Sequence, residues 1–334
     1  MDNTRPTPLV EDIEGTRRKL EGWLSEHRGH HVRIPTLDIP ESTGMSNVTL
    51  LFDLHWEEGG EDHREPIVAR LQPEIERPVF PSYDLSEQYE VMQAIARHSD
   101  IPVPELRGLE TDRSLLGVQF YFMKRTEGRI PTDIPPYNID GWMMHDTTLE
   151  QRAGLWSAAV DVMGKYHQLD YKTLGFEKLH QPGKTPLQQQ LDYWQHYHDW
   201  ALEGEQHVIC QRALDWLYAN QPHNEPTVLC WGDSRLGNII FNEALDGVAA
   251  VLDWEFSREA SLLVSLERGR LRGPRFGRKL SPSLVISLPS ANIPPTLMIV
   301  GSSQLPIILY RTWVAFSNGR PKISCPNNSA APKP

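Results

Sequence analysis

The spacing of apolar positions changes several times along the chain, and each change marks an element. Residues 12–28 carry apolar positions at helical spacing and predict a short amphipathic helix. Residues 32–39 read as a strand. Asn47 to Trp56 is rich in β-formers, partly alternates and predicts a second strand; Pro66 to Gln72 predicts a third. Between them, the polar run Glu57 to Asp62, with Gly59-Gly60 inside it, reads as a turn. Asp84, with Glu87 three residues on, reads as a capping box for a helix whose apolar face is Tyr89, Met92, Ile95 and Ala96. Pro102 and Pro104 stop further helix, Leu115 to Lys124 reads as a strand, and Gly128 to Pro136 as a loop.

Two long helices come next. Thr148 with Gln151 opens one, with Leu155, Ala159, Val162, Tyr166 and Leu169 on a face. Thr185, Pro186 at the first helical position and Gln188 open the other, striped by Leu187, Leu191, Trp194 and Trp200. A third helix covers about 205–220. Thr227 to Cys230 is an apolar strand. Ile239 to Phe241 and Val248 to Leu252 are short β-type runs around the turn pair Asp246-Gly247 and predict a hairpin. The expected fold is therefore α+β: a small antiparallel β lobe followed by a mainly helical lobe that contains the hairpin.

Length and charge narrow this picture. The 334 residues suffice for two domains or lobes. The three cysteines form no CxxC and no paired framework, which fits a reducing compartment and argues against structural zinc. No charged region followed by an apolar stretch opens the chain, so the expected location is cytoplasmic. The apolar run Leu284 to Tyr310 is interrupted by Pro289, Pro294, Pro295 and Pro306, which argues against a membrane span. Net charge is −11, but residues 1–257 carry −20 and residues 258–334 carry +9. The acidic body argues against a nucleic-acid partner.

The candidate chemistry lies in Cys230-Trp-Gly-Asp-Ser-Arg-Leu-Gly-Asn-Ile-Ile-Phe241 and Val248-Ala-Ala-Val-Leu-Asp-Trp-Glu255. Positions 238 and 253 are symmetric about the turn, so the hairpin should set Asn238 opposite Asp253. Phosphoryl transfer needs hard oxygen ligands for Mg²⁺ and a separate aspartate to orient the acceptor hydroxyl and take its proton. Asp233, four intervening residues, Asn238 and then Asp253 reproduce the kinase spacing of that set. Arg235 suits charge stabilisation near phosphates, or holding Asp233. Gly232 and Gly237 permit tight turns. A D-x₄-N spacing alone carries almost no signal; its combination with the strand, the hairpin and V-L-D-W-E does.

These segments resemble the aminoglycoside phosphotransferase family, kinase-like enzymes that include choline kinases and homoserine kinases. They resemble most a bacterial branch related to the kinase-like part of acyl-CoA dehydrogenase fusions. The similarity runs from about residue 30 to 257, and Trp231 stands where many members have His. The resemblance implies a bilobal protein-kinase-like fold that uses ATP and Mg²⁺ to phosphorylate a small-molecule hydroxyl. Residues 1–125 would be the nucleotide-binding lobe and 126–257 the catalytic lobe. By carry-over, Asp233 is the catalytic base and Asn238 and Asp253 are the metal ligands. Ser42, Gly44, Ser46 and Asn47 fall on the phosphate-covering loop, and Arg70 takes the place of the phosphate-pairing lysine. Its carboxylate partner's position on the following helix holds Gln88, with Glu87 and Glu90 adjacent. Met123 to Arg125 would form the hinge that pairs with adenine. His167 reads as packing.

After Asp253 the character changes. No aspartate follows, and residues 258–334 hold eleven serines and ten prolines. The family's usual Gly-Asp-Pro turn and Trp-rich helix are not found in this tail. A reading-frame change near residues 257–263 or a divergent, partly disordered tail would account for it. Two functions follow: an active kinase, or an impaired relic that at most binds nucleotide. A hydrolase or lyase using Asp233 without ATP lacks a nucleophile elbow or a metal-histidine cluster.

Overall fold

The computed structural model describes residues 12–40, 47–73, 80–176, 181–221 and 227–254, with the backbone of strands at 258–261, 297–302 and 305–310. Strand β1 (Val48–Glu58) buries every second residue, Val48, Leu50, Phe52 and Leu54 among them. It turns through Gly59-Gly60 directly into β2 (Glu61–Leu71), with Glu58 opposite Glu61. Helix α2 (Leu85–His98) follows, then β3 (Leu106–Glu110) and β4 (Phe120–Lys124), giving an antiparallel sheet in the order β1-β2-β4-β3.

The structure corrects several sequence expectations here. Strand β2 begins at Glu61 rather than Pro66, because its first half is polar on both faces and shows no alternation. Residues 32–39 are not a continuous strand: they bridge β1 at Arg33↔His55 and Asp38↔Leu51. Between the bridges four residues on one side, 34–37, face three on the other, 52–54, and Pro35 is among the four, with no N–H to give. The expected strand from Leu115 shrinks to Phe120–Lys124, since the chain turns at Arg113 to Gly117. Strand β3 was not expected at all.

Both faces of the sheet are covered. On one, Leu20, Trp23 and Leu24 of α1 (Ile13–Arg28) pack against Leu50, Phe52, Ile67, Phe120 and Phe122. On the other, α2 meets Val68, Tyr121 and Met123. Asp84 caps α2 by accepting from the backbone N–H groups of Ser86 and Glu87. Its buried face is Leu85, Gln88, Val91, Met92 and Ile95, so Ala96 is exposed and the face is rotated from the expected one. That rotation places the polar Gln88 in the interior.

The second half of this unit is mainly helical. Helix α3 (Trp142–His145) is a single turn. Helix α4 (Leu149–His167) has the expected reciprocal capping box between Thr148 and Gln151, and buries Leu155, Ala159, Val162 and Tyr166. Thr185 caps α5 (Pro186–Leu202), and α6 (Val208–Ala219) follows. Strand β5 (Thr227–Cys230) pairs with β8 (Arg258–Ser261), and β6 (Ile239–Phe241) with β7 (Val248–Val251). Residues 1–278 form one compact unit and 279–334 another. The described part of the latter is an antiparallel pair, β9 (Leu297–Ser302) with β10 (Leu305–Tyr310). Most of the basic tail lies outside the described residues; of residues 257–263, where a frame change was considered, only the backbone of Arg258–Ser261 is described. Among the described residues no helix is long and apolar enough to cross a membrane.

His167 closes α4, where the helix dipole would favour a cation. Burial outweighs the dipole and pushes the imidazole down to about 4, from an ordinary value near 6.5. The unfolded chain therefore takes up a proton before the folded one does. His167 supports stability fully above pH 6.5, and that support is lost as pH falls toward about 4. His167→Gln should flatten the decline of the thermal midpoint across this window, followed by circular dichroism. An unchanged slope would show that His167 is not the titrating group.

Candidate active site

The hairpin β6–β7 brings the candidate residues together, though not in the expected register. Ile239 pairs with Val251 and Ile240 with Ala250, and a bulge follows before Phe241↔Val248. Asn238 therefore lies opposite Leu252, whose N–H donates to the Asn238 carbonyl at 2.8 Å. Asp253 sits one residue beyond, with φ +58. Aspartate tolerates this left-handed region better than most side chains, but such a residue persists only where its surroundings hold it. Here the Leu252 carbonyl accepts from the buried Trp231 indole N–H at 2.8 Å. Trp231 in turn packs on Trp254, and Trp254 on Tyr166 of α4. Trp231, noted from sequence only as a substitution for His, is thus what anchors the peptide before Asp253.

Asp233 precedes a short 3₁₀ turn, Leu236–Asn238. Its Oδ2 accepts from Arg235 Nε at 2.7 Å and from Asn238 Nδ2 at 3.1 Å. The same Asn238 amide also donates to the Asp233 backbone carbonyl at 3.0 Å. Arg235 extends its Nη2 to within 4.0 Å of Asp253 Oδ2. From the sheet, Arg70 on β2 donates to Thr49 Oγ1 at 2.8 Å and to Asp253 Oδ1 at 3.1 Å. Asp233, Arg235, Asn238, Asp253 and Arg70 therefore form one cluster. Gly232 does adopt a positive φ of 95, as a tight turn requires. Gly237 does not; its role is space, because a Cβ there would come within 2.9 Å of Asp133 and 3.0 Å of Arg235.

The remaining candidates come from earlier in the chain. Ser42, Gly44 and Ser46 lie outside the described residues. Asn47 is buried immediately before β1. Met123 is buried on β4 opposite Val68, two residues along from the Arg70↔Tyr121 pair. The backbone N–H of Arg125 donates to the Pro66 carbonyl at 2.9 Å, and its guanidinium lies 3.5 Å from Asp53. The sequence reading missed Thr49 and Asp133. Neither stands in the motif, and only the fold brings them to it.

Gln88, at the helix position of the expected carboxylate, accepts from the Tyr121 hydroxyl at 2.5 Å. Both side chains are almost wholly buried, and Gln88 Nε2 has no hydrogen-bond partner among the described residues. A neutral amide thus occupies the site of the ion pair, and Arg70 finds its counter-charge on Asp253.

A four-stranded antiparallel sheet joined to a helical part that carries a hairpin is a kinase-like α+β fold. An aminoglycoside phosphotransferase candidate from Ralstonia eutropha JMP134 shares it: 25% identity, TM-score 0.53, with 75% of this chain and 68% of that one aligned. A type I macrolide 2'-phosphotransferase has the same fold at 14% identity and TM-score 0.50, covering 79% of this chain and 80% of that one. The phosphotransferase enzyme family model matches residues 61–263, and the chain belongs to that family. Acyl-CoA dehydrogenase family member 10 of Mus musculus is 27% identical over 76% of this chain and 22% of its own length. Family member 11 of Homo sapiens is 28% identical over 72% of this chain and 29% of its own length. The chain thus spans about a quarter of the length of the curated relatives it matches.

Tyr121→Phe removes the donor that satisfies Gln88 and leaves a buried acceptor unpaired. Denaturant unfolding should show a loss of about 1–3 kcal/mol, and the further change Gln88→Leu should restore part of it. Unchanged stability in Tyr121→Phe would contradict the pairing.

Proposed function

We propose that this chain transfers the γ-phosphoryl group of ATP, with Mg²⁺, to a hydroxyl of a small molecule. The observation that carries the reading is the single cluster of Asp233, Asn238 and Asp253, with Arg70 and Arg235 beside them. The donor set fits Mg²⁺. Among the described residues no group of three or more His, Cys, Asp or Glu could hold a metal by itself. Mg²⁺ asks for less: one or two side-chain oxygens, with phosphates and water completing the shell. Asn238 commits its amide nitrogen to Asp233, so its side-chain oxygen would be the ligand it offers, together with a carboxylate oxygen of Asp253. When bound, Mg²⁺ would neutralise phosphate charge and orient the γ-phosphoryl group.

The protein's own groups do the rest. Asp233 accepts the proton of the acceptor hydroxyl as that oxygen forms its bond to the γ-phosphorus and the bond to the bridging oxygen of ADP breaks. Arg235 holds the Asp233 carboxylate and stabilises charge on the transferring group. Arg70 moves between Asp253 and the phosphates, where a guanidinium pairs with two oxygens at once. Asp233→Ala should lower Mg²⁺-dependent transfer by about 10²–10⁴-fold while leaving the ATP-induced thermal shift in place. The acceptor panel would contain aminoglycosides, macrolides, choline-like amines, hydroxy acids and hydroxyacyl-CoA. Transfer that survives Asp233→Ala or chelation of Mg²⁺ would refute the reading.

A second reading is favoured by one observation: the family match ends at residue 263, close to where the composition changes. A chain whose acceptor pocket is not completed beyond that point would bind nucleotide without turnover. It would show a thermal shift with Mg·ATP and no product with any acceptor.

A further inference from the structure

The guanidinium of Arg235 meets a second carboxylate that the motif does not contain. Its Nη1 pairs with Asp133 Oδ2, while Nε is on Asp233 and Nη2 faces Asp253. Asp133 lies a hundred residues before Asp233, in the segment after β4 that was read from sequence as a plain loop. Several features over-determine its position. Arg129 exchanges both backbone hydrogen bonds with Phe241 of β6, at 2.8 and 3.0 Å. Gly128 allows that approach, since a Cβ there would lie 2.3 Å from the Phe241 carbonyl oxygen. The Trp142 indole then donates to the Ile130 carbonyl at 2.9 Å, and the Arg129 guanidinium lies over the Trp142 ring, 4.5 Å from its centroid. The start of the loop is thereby stitched to the hairpin that carries Asn238. At its far side, Gly237 leaves room for the Asp133 carboxylate, two of whose oxygens stand 2.9 and 3.1 Å from where its Cβ would be.

We infer that Asp133 is a positioning residue: it clamps Arg235 so that the guanidinium presents one edge to Asp233 and another toward Asp253. A guanidinium is planar with donors in a fixed fork, so fixing two corners sets the direction of the third. Without Asp133, Arg235 can rotate about its Asp233 contact, and a second carboxylate is left to compete for a mobile cation. Asp133 touches neither phosphate nor acceptor in this role; it acts through Arg235. The clamp rests on the phosphotransferase reading for its effect on rate, but not for its existence.

The full chain would be compared as wild type, Asp133→Asn and Asp133→Glu, with Mg·ATP as the probe and water as the acceptor. Asp133→Asn keeps the side-chain size and removes the charge. It should lower kcat for ATP hydrolysis by about tenfold to a hundredfold, the scale of loss expected from misplacing a reacting group by about 1 Å. KM for Mg·ATP should stay within about twofold, and Asp133→Glu should recover much of the rate. A kcat within about twofold of wild type in Asp133→Asn, or no recovery in Asp133→Glu, overturns the clamp. A second arm needs no turnover. The Arg235 Nε–H signal, assigned by its loss in Arg235→Lys, should be protected from solvent exchange in the nucleotide-free wild type and exposed in Asp133→Asn. Equal exchange in both overturns the clamp. A wild type that shows this protection but neither binds nor hydrolyses Mg·ATP overturns the phosphotransferase reading and leaves the pair established.

Discussion

The backbone of Leu252 is held on both sides, and the candidate site depends on it. Its N–H is taken by the Asn238 carbonyl and its carbonyl by the Trp231 indole. The next residue, Asp253, is therefore launched from a fixed point into a left-handed backbone conformation. A strained residue needs such bracing, because about 1–3 kcal/mol of backbone cost would otherwise relax by local rearrangement. The bracing reaches further back, through the Trp231–Trp254 and Trp254–Tyr166 contacts, to helix α4 and its capping box. A helix cap, an aromatic stack and a hairpin register thus combine to place one carboxylate.

Charge balance is the second constraint. Asp133, Asp233 and Asp253 gather around Arg235, and Arg70 reaches across from the sheet to Asp253. The side chain of Asp253 is only 22% exposed, so its repulsion from neighbouring carboxylates would be weakly screened without the two guanidiniums. The same arrangement explains why a neutral Gln88 can occupy the interior of α2. A carboxylate there would be desolvated, and Arg70 already has a partner on Asp253.

What could be read from the chain alone follows from how local each signal is. Helix starts were legible where a side chain bonds the backbone two or three residues away, as at Asp84, Thr148 and Thr185. Strand β1 was legible because one of its faces is buried and the alternation shows. The first half of β2 was not, since Glu61 to Glu65 is polar on both faces and only pairing with β1 makes it a strand. Strand β3 is five half-buried residues around a glycine, too short and mixed to carry a period. The buried face of α2 was misjudged because Gln88 lies on it, and a polar residue on the core face reads from sequence as a solvent position.

The stretch from Gly232 to Asp253, by itself, determined that Asp233 precedes Asn238 on the segment feeding a hairpin, because turns and two-stranded pairings are set by neighbours in the chain. Only the tertiary structure decided that a bulge shifts Asn238 onto Leu252, that Arg70 meets Asp253 across 183 residues, and that Asp133 arrives beside Arg235. Those meetings leave no local period to read. They exist because two buried cores fix the sheet and because Gly128 lets its loop lie on β6. A contact made by packing is specified by every residue that shapes the packing, and by none of them alone.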